Sequence, residues 1–179
     1  MLLIGGSSYI GKHLVQGFES GKCMTTYYKR PVSNGLYFDL LSMDLSEIIR
    51  DPEDFSHAVI LSADPQPDSC ALDKTRSYAL NVDRTKKAID YLALHGIRVV
   101  FSSSEFVFDG EKGNYVENDS PNPILTYGHQ KVEVENYIRT SCDEFLILRL
   151  AKVFGSDDGD GTLFTSWIND IKKSKTIRC

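Results

Sequence analysis

The 179-residue sequence predicts an α/β fold, a doubly wound parallel sheet with helices on both faces. Two observations carry this expectation. Short apolar, strand-like runs alternate with helical stretches along the whole chain, and the first run ends in a small-residue turn that opens an amphipathic helix. Neither an internal repeat nor a low-complexity tract interrupts the alternation.

The elements follow in order. An apolar strand starts at Met1, and after the turn G-G-S-S a helix places Ile10, Leu14, Val15 and Phe18 on one face. Strands are expected at Cys23–Tyr28, Leu36–Phe38 and His57–Ser62. A long helical stretch runs from about Leu72 to His95, and the strand I-R-V-V-F-S covers Ile97–Ser102. A Gly/Pro/Asn-rich loop at Gly110–Pro123 leads to a helix from about Thr126 to Thr140. A strand at Phe145–Leu150, a Gly/Asp loop at Gly155–Gly161 and a helix near Leu163–Lys173 complete the series. The final T-I-R-C reads as the opening of another strand. The expected organisation is therefore a dinucleotide-binding domain at 1–174, with 175–179 starting a further C-terminal part that the chain does not contain.

Composition narrows the class. With 41% hydrophobic and 25% charged residues the chain reads as globular, and its net charge of −5 argues against a nucleic-acid or anionic-membrane surface. No apolar run approaches the roughly 20 residues that span a bilayer. A strand beginning at Met1 leaves no room for a signal peptide, so a cytoplasmic location is expected. Cys23, Cys70, Cys142 and Cys179 lack any C-x-x-C spacing and read as free thiols, while His13, His57, His95 and His129 are too scattered for a metal site.

The opening turn fits a Rossmann-type phosphate site. Gly5 allows the tight turn, Gly11 lets the helix pack close, and the first-turn N–H groups around Ser7, Ser8, Tyr9 and Ile10 face a pyrophosphate. Ser8 stands where a G-x-x-G-x-x-G loop has its middle glycine, which restricts how closely a phosphate approaches the backbone. About 20 residues on, where an acid selects NAD, the second strand ends in Lys29 and Arg30 with no acid nearby, which favours NADP(H) over NAD(H).

Tyr127 and Lys131 form a Y-x-x-x-K pair, a spacing that chance alone supplies about as often as not in a chain this rich in both residues. Its setting is more specific. Residues 127, 131, 134 and 138 lie on one helical stripe, so the phenol and ammonium extend an apolar face that includes Val134 and Ile138. A free phenol, with a pKa of about 10, exchanges protons poorly at neutral pH, and an ammonium one turn away favours phenolate. Ser102, Ser103 and Ser104 leave a strand at its carboxyl end, where ligands bind in parallel sheets.

Taken together, the glycine turn, serine run and Y-x-x-x-K order resemble the extended short-chain dehydrogenase/reductases, and within them the dTDP-4-dehydrorhamnose reductases and their sugar-nucleotide-binding relatives. The matching stretches are S-S-E-F-V-F-D-G from Ser103, Y-V-E-N-D-S-P-N-P from Tyr115, Y-G-H-Q-K-V-E-V-E from Tyr127, N-V-D-R-T from Asn81 and L-R-L-A-K-V-F-G from Leu148. The resemblance implies Ser104 as the catalytic hydroxyl, Tyr127 as acid/base, and Lys131 holding nicotinamide-ribose hydroxyls while lowering the tyrosine pKa. It further implies adenine contacts from Asp39 and Leu40, an adenosine-ribose turn at Ser62 and Ala63, and a structural asparagine at Asn81 on the cofactor side. The implied activity is reduction of a keto group on a nucleotide-activated sugar. An epimerase, or a non-catalytic nucleotide-binding or regulatory subunit of the same fold, stays open, as does a homodimer. Glu105 followed by Phe106 lacks the Asp-Glu pair of the related dehydratases.

Overall fold

Among the described residues six strands make one sheet: β1 Leu2–Ile4, β2 Met24–Tyr27, β3 Gly35–Tyr37, β4 His57–Ile60, β5 Arg98–Ser104 and β6 Phe145–Leu150, in the order β3-β2-β1-β4-β5-β6. In this computed structural model, which describes residues 1–19, 21–155 and 162–173, each pairing whose register is defined is parallel. The order reverses between β2 and β4 on either side of β1, the topological switch point at which a crevice opens over the strand carboxyl ends. The predicted Rossmann-type α/β fold is therefore the observed one.

The central strands β1 and β4 are buried on both faces, whereas the edge strands β3 and β6 are half-buried or exposed. Leu2 and Ile4 point to one face with their register partners Ala58 and Ile60 and with Val99 and Phe101 of β5. Helices α5, Thr85–Leu94, and α6, Thr126–Ser141, cover that face with Ala88, Ile89, Leu92, Val134 and Ile138. Leu3 and Val59 are buried on the opposite face.

The helical stretch expected at Leu72–His95 is a segmented run. It starts at α3, Pro67–Leu72, breaks at Asp73, and resumes as α4, Lys74–Tyr78. Asp73 leaves helical geometry because its carboxylate caps α4, accepting from the Arg76 N–H at 2.9 Å. A π-helical stretch, Ala79–Arg84, then joins α4 to α5, with the Thr85 hydroxyl bonded to the Leu80 carbonyl at 3.0 Å. The short helix α2, Leu45–Ile48, was not legible in the periodicity; a capping box between Asp44 and Glu47 holds its single turn.

The chain divides into two compact units, residues 1–149 and 150–179. In the second, helix α7, Leu163–Lys172, opens at Thr162, whose hydroxyl accepts from the Gly155 N–H at 3.1 Å. Phe164 packs edge-on between Phe154 and Trp167, with centroids at 4.8 and 5.6 Å. Most of the expected Gly155–Gly161 loop and the strand opening at 176–179 lie outside the described residues. No described helix is long and apolar enough to cross a membrane.

Gly128 shows how tightly α6 docks. A Cβ there would stand 2.1 Å from the Phe106 carbonyl oxygen, a backbone atom that cannot step aside. Gly128→Ala is expected to lower unfolding free energy by about 1–3 kcal/mol, as overpacking does, measured by urea denaturation. An unchanged midpoint contradicts that docking.

Candidate functional site

The first wall of the site is the turn after β1. Gly5 has φ +96°, and a Cβ there would meet the Ser62 hydroxyl at 2.9 Å. Only glycine combines that backbone with that neighbour. At Gly11 a Cβ would stand 2.7 Å from the Gly5 carbonyl oxygen, so α1, Tyr9–Gln16, starts directly against the turn. Ser8 turns out to cap this helix. Its hydroxyl donates to the Gly5 carbonyl at 2.8 Å and accepts from the Gly11 N–H at 3.0 Å. The residue expected to be a departure thus closes the loop on itself and occupies one first-turn donor. Tyr9 and Ile10 still carry N–H groups of the kind an α-helix leaves without an intrahelical acceptor.

A cleft of about 290 Å³ opens beside this turn. Of the residues expected to bind cofactor, Gly5, Ser7, Ser8, Lys29, Arg30, Asp39, Leu40, Ser62 and Ala63 line it. Tyr9, Ile10, Gly11, Asn81, Ser102, Tyr127 and Lys131 do not line this cleft. Tyr28, Arg76 and Leu80 also line it, and periodicity gave no sign of them. The expectation that no acid stands near Lys29 and Arg30 needs correcting, because Asp39 shares their cleft. Its carboxylate is engaged by its own turn, accepting from the Leu41 N–H at 3.1 Å and the Ser42 hydroxyl at 2.8 Å. Arg84 fixes the same loop from behind through the Leu40 carbonyl at 2.7 Å, the Met43 carbonyl, and Asp44 at 2.8 Å.

Asn81 is buried behind the cleft. Its amide accepts from the Asp64 N–H at 2.8 Å and donates to the Asp64 carbonyl at 3.1 Å and to Gln130 at 2.8 Å. The side chain therefore holds the turn that ends at Asp64 in place, as the structural asparagine expected there. Gln130 continues the chain to the Ser77 hydroxyl at 2.9 Å, tying α6 to α4.

The second cluster lies where α6 meets the end of β5. Lys131, 3% exposed, donates to the Ser102 carbonyl at 2.8 Å, with its ammonium 4.5 Å from the Phe101 ring centroid and 5.4 Å from that of Tyr127. Tyr127 packs edge-on against Phe106 with centroids 6.3 Å apart. The Ser104 hydroxyl accepts from the Phe106 N–H at 3.3 Å, and the Ser102 hydroxyl donates to the Ile60 carbonyl at 2.9 Å. All three candidate catalytic side chains are thus in the same region of the fold and nearly buried.

Their electrostatics differ from the expectation. Burial, followed by the negative charges of Cys70, Glu105 and Asp64, pushes the Tyr127 phenol well above its ordinary range. Burial also pulls Lys131 down from 10.5 to about 8. The ammonium is aimed at the Ser102 carbonyl, so desolvation outweighs whatever help it gives a phenolate.

Beneath this cluster lies a fully buried carboxylate, Glu135, one turn after Lys131 on α6. Glu135 accepts from the Ser103 hydroxyl at 2.6 Å, from Arg149 at 2.7 and 3.0 Å, and from Arg139 at 3.2 and 3.3 Å. Arg149 also sits 5.0 Å over the Phe108 ring and donates to the Glu117 carbonyl at 3.3 Å. One ion thereby joins α6, β5, β6 and the loop following β5.

The fold and the glycine turn define the class: a parallel α/β dinucleotide-type domain with strand order 3-2-1-4-5-6. The chain belongs to the RmlD substrate binding domain family, whose profile matches residues 1–178. It is 29% identical over 170 residues to a dTDP-4-dehydrorhamnose reductase of Aggregatibacter actinomycetemcomitans, covering 87% of this chain and 52% of that protein. It is 27% identical over 159 residues to methionine adenosyltransferase 2 subunit beta of Danio rerio, covering 87% and 48%. The crystal structure of a hypothetical dTDP-4-dehydrorhamnose reductase from Sulfolobus tokodaii superposes with a TM-score of 0.78 at 28% identity, over 87% of this chain and 57% of that one. The chain spans about half the length of these curated relatives.

Burial raises the Glu135 carboxyl pKa, but Arg149, Ser103 and Arg139 outweigh burial and hold it below its ordinary 4.5. A depressed folded-state value contributes stability that is fully present above the unfolded pKa and lost as pH falls through the folded one. Glu135→Gln is expected to cost about 1–3 kcal/mol at pH 7, because it leaves the half-buried Arg149 without its counter-charge. The difference from the parent narrows below about pH 4.5 as the parent's own carboxyl protonates. Urea unfolding at pH 7 and pH 4 checks both points, and a deficit that does not change with pH contradicts the ion pairing.

Proposed function

We propose that this chain is the cofactor-binding part of an NAD(P)-dependent reductase acting on the keto group of a nucleotide-activated sugar. The observation that carries the reading is the convergence of Tyr127, Lys131 and the β5 serines at the carboxyl end of the sheet, on the same side as the glycine turn and cleft. Family membership supports it, as does the similarity to dTDP-4-dehydrorhamnose reductases. In this reading residues 1–174 form the dinucleotide domain, and a nucleotide sugar is the substrate.

The residues present fit a dinucleotide. The turn at Gly5 and Gly11 leaves no space for a Cβ and brings backbone N–H groups to the surface, while Leu40, Leu41, Leu61 and Leu80 give the cleft an apolar lining suited to an adenine. Lys29 and Arg30 supply positive charge at the end of β2, and Asp39 is spent on its own turn, which favours NADP(H) over NAD(H). A reduced nicotinamide, when bound, would supply the hydride, with Lys131 among the residues that would hold it. Tyr127 then donates its phenolic proton to the substrate oxygen, and the Ser104 hydroxyl hydrogen-bonds that oxygen. A phenol whose pKa is raised stays protonated at neutral pH, the form a reduction consumes. The Lys131 ammonium compensates the tyrosinate left behind and binds ribose hydroxyls.

Two measurements test this. NADPH is expected to bind more tightly than NADH when both are titrated by nicotinamide fluorescence; equal affinities or tighter NADH contradict the NADP preference. In the whole protein that contains this chain, Tyr127→Phe is expected to lower reduction of a 4-keto sugar nucleotide by roughly 100-fold or more while leaving NADPH affinity nearly intact. The similarity to methionine adenosyltransferase 2 subunit beta favours a second reading, a non-catalytic subunit of the same fold. A Tyr127→Phe variant as fast as the parent contradicts the role given to Tyr127, and a parent that binds dinucleotide but reduces no keto sugar nucleotide decides for the non-catalytic alternative.

A further inference from the structure

We infer that Arg76 is a phosphate-binding residue of the dinucleotide cleft, reaching the ligand from the wall opposite Lys29 and Arg30; the inference rests on the cofactor reading above. Arg76 on α4 and Leu80 in the π-helical stretch that follows it both line the cleft. Lys29 and Arg30 enter from the end of β2, whereas α4 follows β4, and β1 with its glycine turn runs between those strands. The cations therefore flank the place where a phosphate sits over the turn.

The side chain is available for that task. It is 50% exposed, and its contact with Asp64 spans 3.8 Å, a distance of charge attraction beyond a normal hydrogen bond. Asp64 does not depend on it, because its carboxylate accepts from the Ser69 hydroxyl at 2.6 Å and the Gln66 N–H at 3.3 Å. Moving the guanidinium from Asp64 to a phosphate orphans nothing. Its backbone is fixed by the Asp73 cap, so only side-chain torsions need to change. There is also a demand for it. Ser8 has taken the Gly11 N–H that a glycine in its place would leave to the ligand, and a planar guanidinium replaces lost donors with a paired, charged set.

The test uses Arg76→Gln, Arg76→Lys and, on the same helix but absent from the cleft lining, Lys74→Gln. Binding of NADPH, NADH, 5′-ADP and 2′-AMP is measured by calorimetry, with the melting temperature as the folding control. Arg76→Gln is expected to weaken NADPH by about tenfold with an unchanged melting temperature, Arg76→Lys to recover part of that loss, and Lys74→Gln to bind as the parent does. Weakened 5′-ADP places the contact at the diphosphate, and weakened 2′-AMP alone places it at the 2′-phosphate; either supports the inference. If Arg76→Gln binds all four as tightly as the parent, or Lys74→Gln loses as much, the inference is overturned while the cofactor reading stands. A parent protein that binds none of the four overturns the cofactor reading and the inference with it.

Discussion

Much of this structure depends on one buried carboxylate. Glu135 sits under the end of β5 with no exposed surface, and a lone charge there would be untenable. It is matched by two guanidiniums and a serine hydroxyl arriving from three directions. Because Ser103 lies on β5 and Arg149 on β6, while Arg139 belongs to α6 itself, the first two fix the rotation and height of α6 on the sheet by hydrogen-bond geometry as well as by apolar packing. Tyr127 and Lys131 lie two turns and one turn upstream on the same stripe, and their positions follow from that of Glu135. A core of leucine and valine alone tolerates small slides of a helix; a saturated ion of this kind does not.

The cleft side is organised differently. Its walls are short turns, each held by side chains from behind: Asn81 behind the turn after β4, Arg84 behind the turn after β3, Ser8 within the turn after β1. These supports use neutral amides, hydroxyls and a partly exposed guanidinium. The two halves of the site thus have different mechanical character, one clamped by a buried ion and the other braced loop by loop. Gln130 connects them, since its amide bonds both Asn81 and Ser77 from a position adjacent to Lys131.

What the sequence made legible follows the same division. Strand and helix order could be read because parallel strands buried on both faces are continuous apolar runs, and Gly5, Gly11 and the Tyr127–Lys131 stripe were visible because spacing along one element encodes them. Support from distant elements was not legible. Arg84 reaches the loop after β3 over more than forty positions, and nothing local to N-V-D-R-T marks its targets. Glu135 is the intermediate case: it continues the stripe of Tyr127 and Lys131 in plain view, yet an acid on a helix usually means a solvated face. Burial of both ring and ammonium reversed the expected direction of the tyrosine shift for a related reason, since desolvation is a property of the packed fold and leaves no trace in spacing.

Ser8 carries a consequence for how the site meets its ligand. Many phosphate loops are loosely held until an anion satisfies their N–H groups, so binding and ordering happen together. Here the hydroxyl already bridges the Gly5 carbonyl and the Gly11 amide, so the turn is braced from within its own chain. On the proposed cofactor reading, little conformational entropy would remain to be lost on binding a phosphate, and the heat of binding would reflect contacts more than ordering. The serine gives up a donor and some closeness of approach in return for a receptor that stands ready.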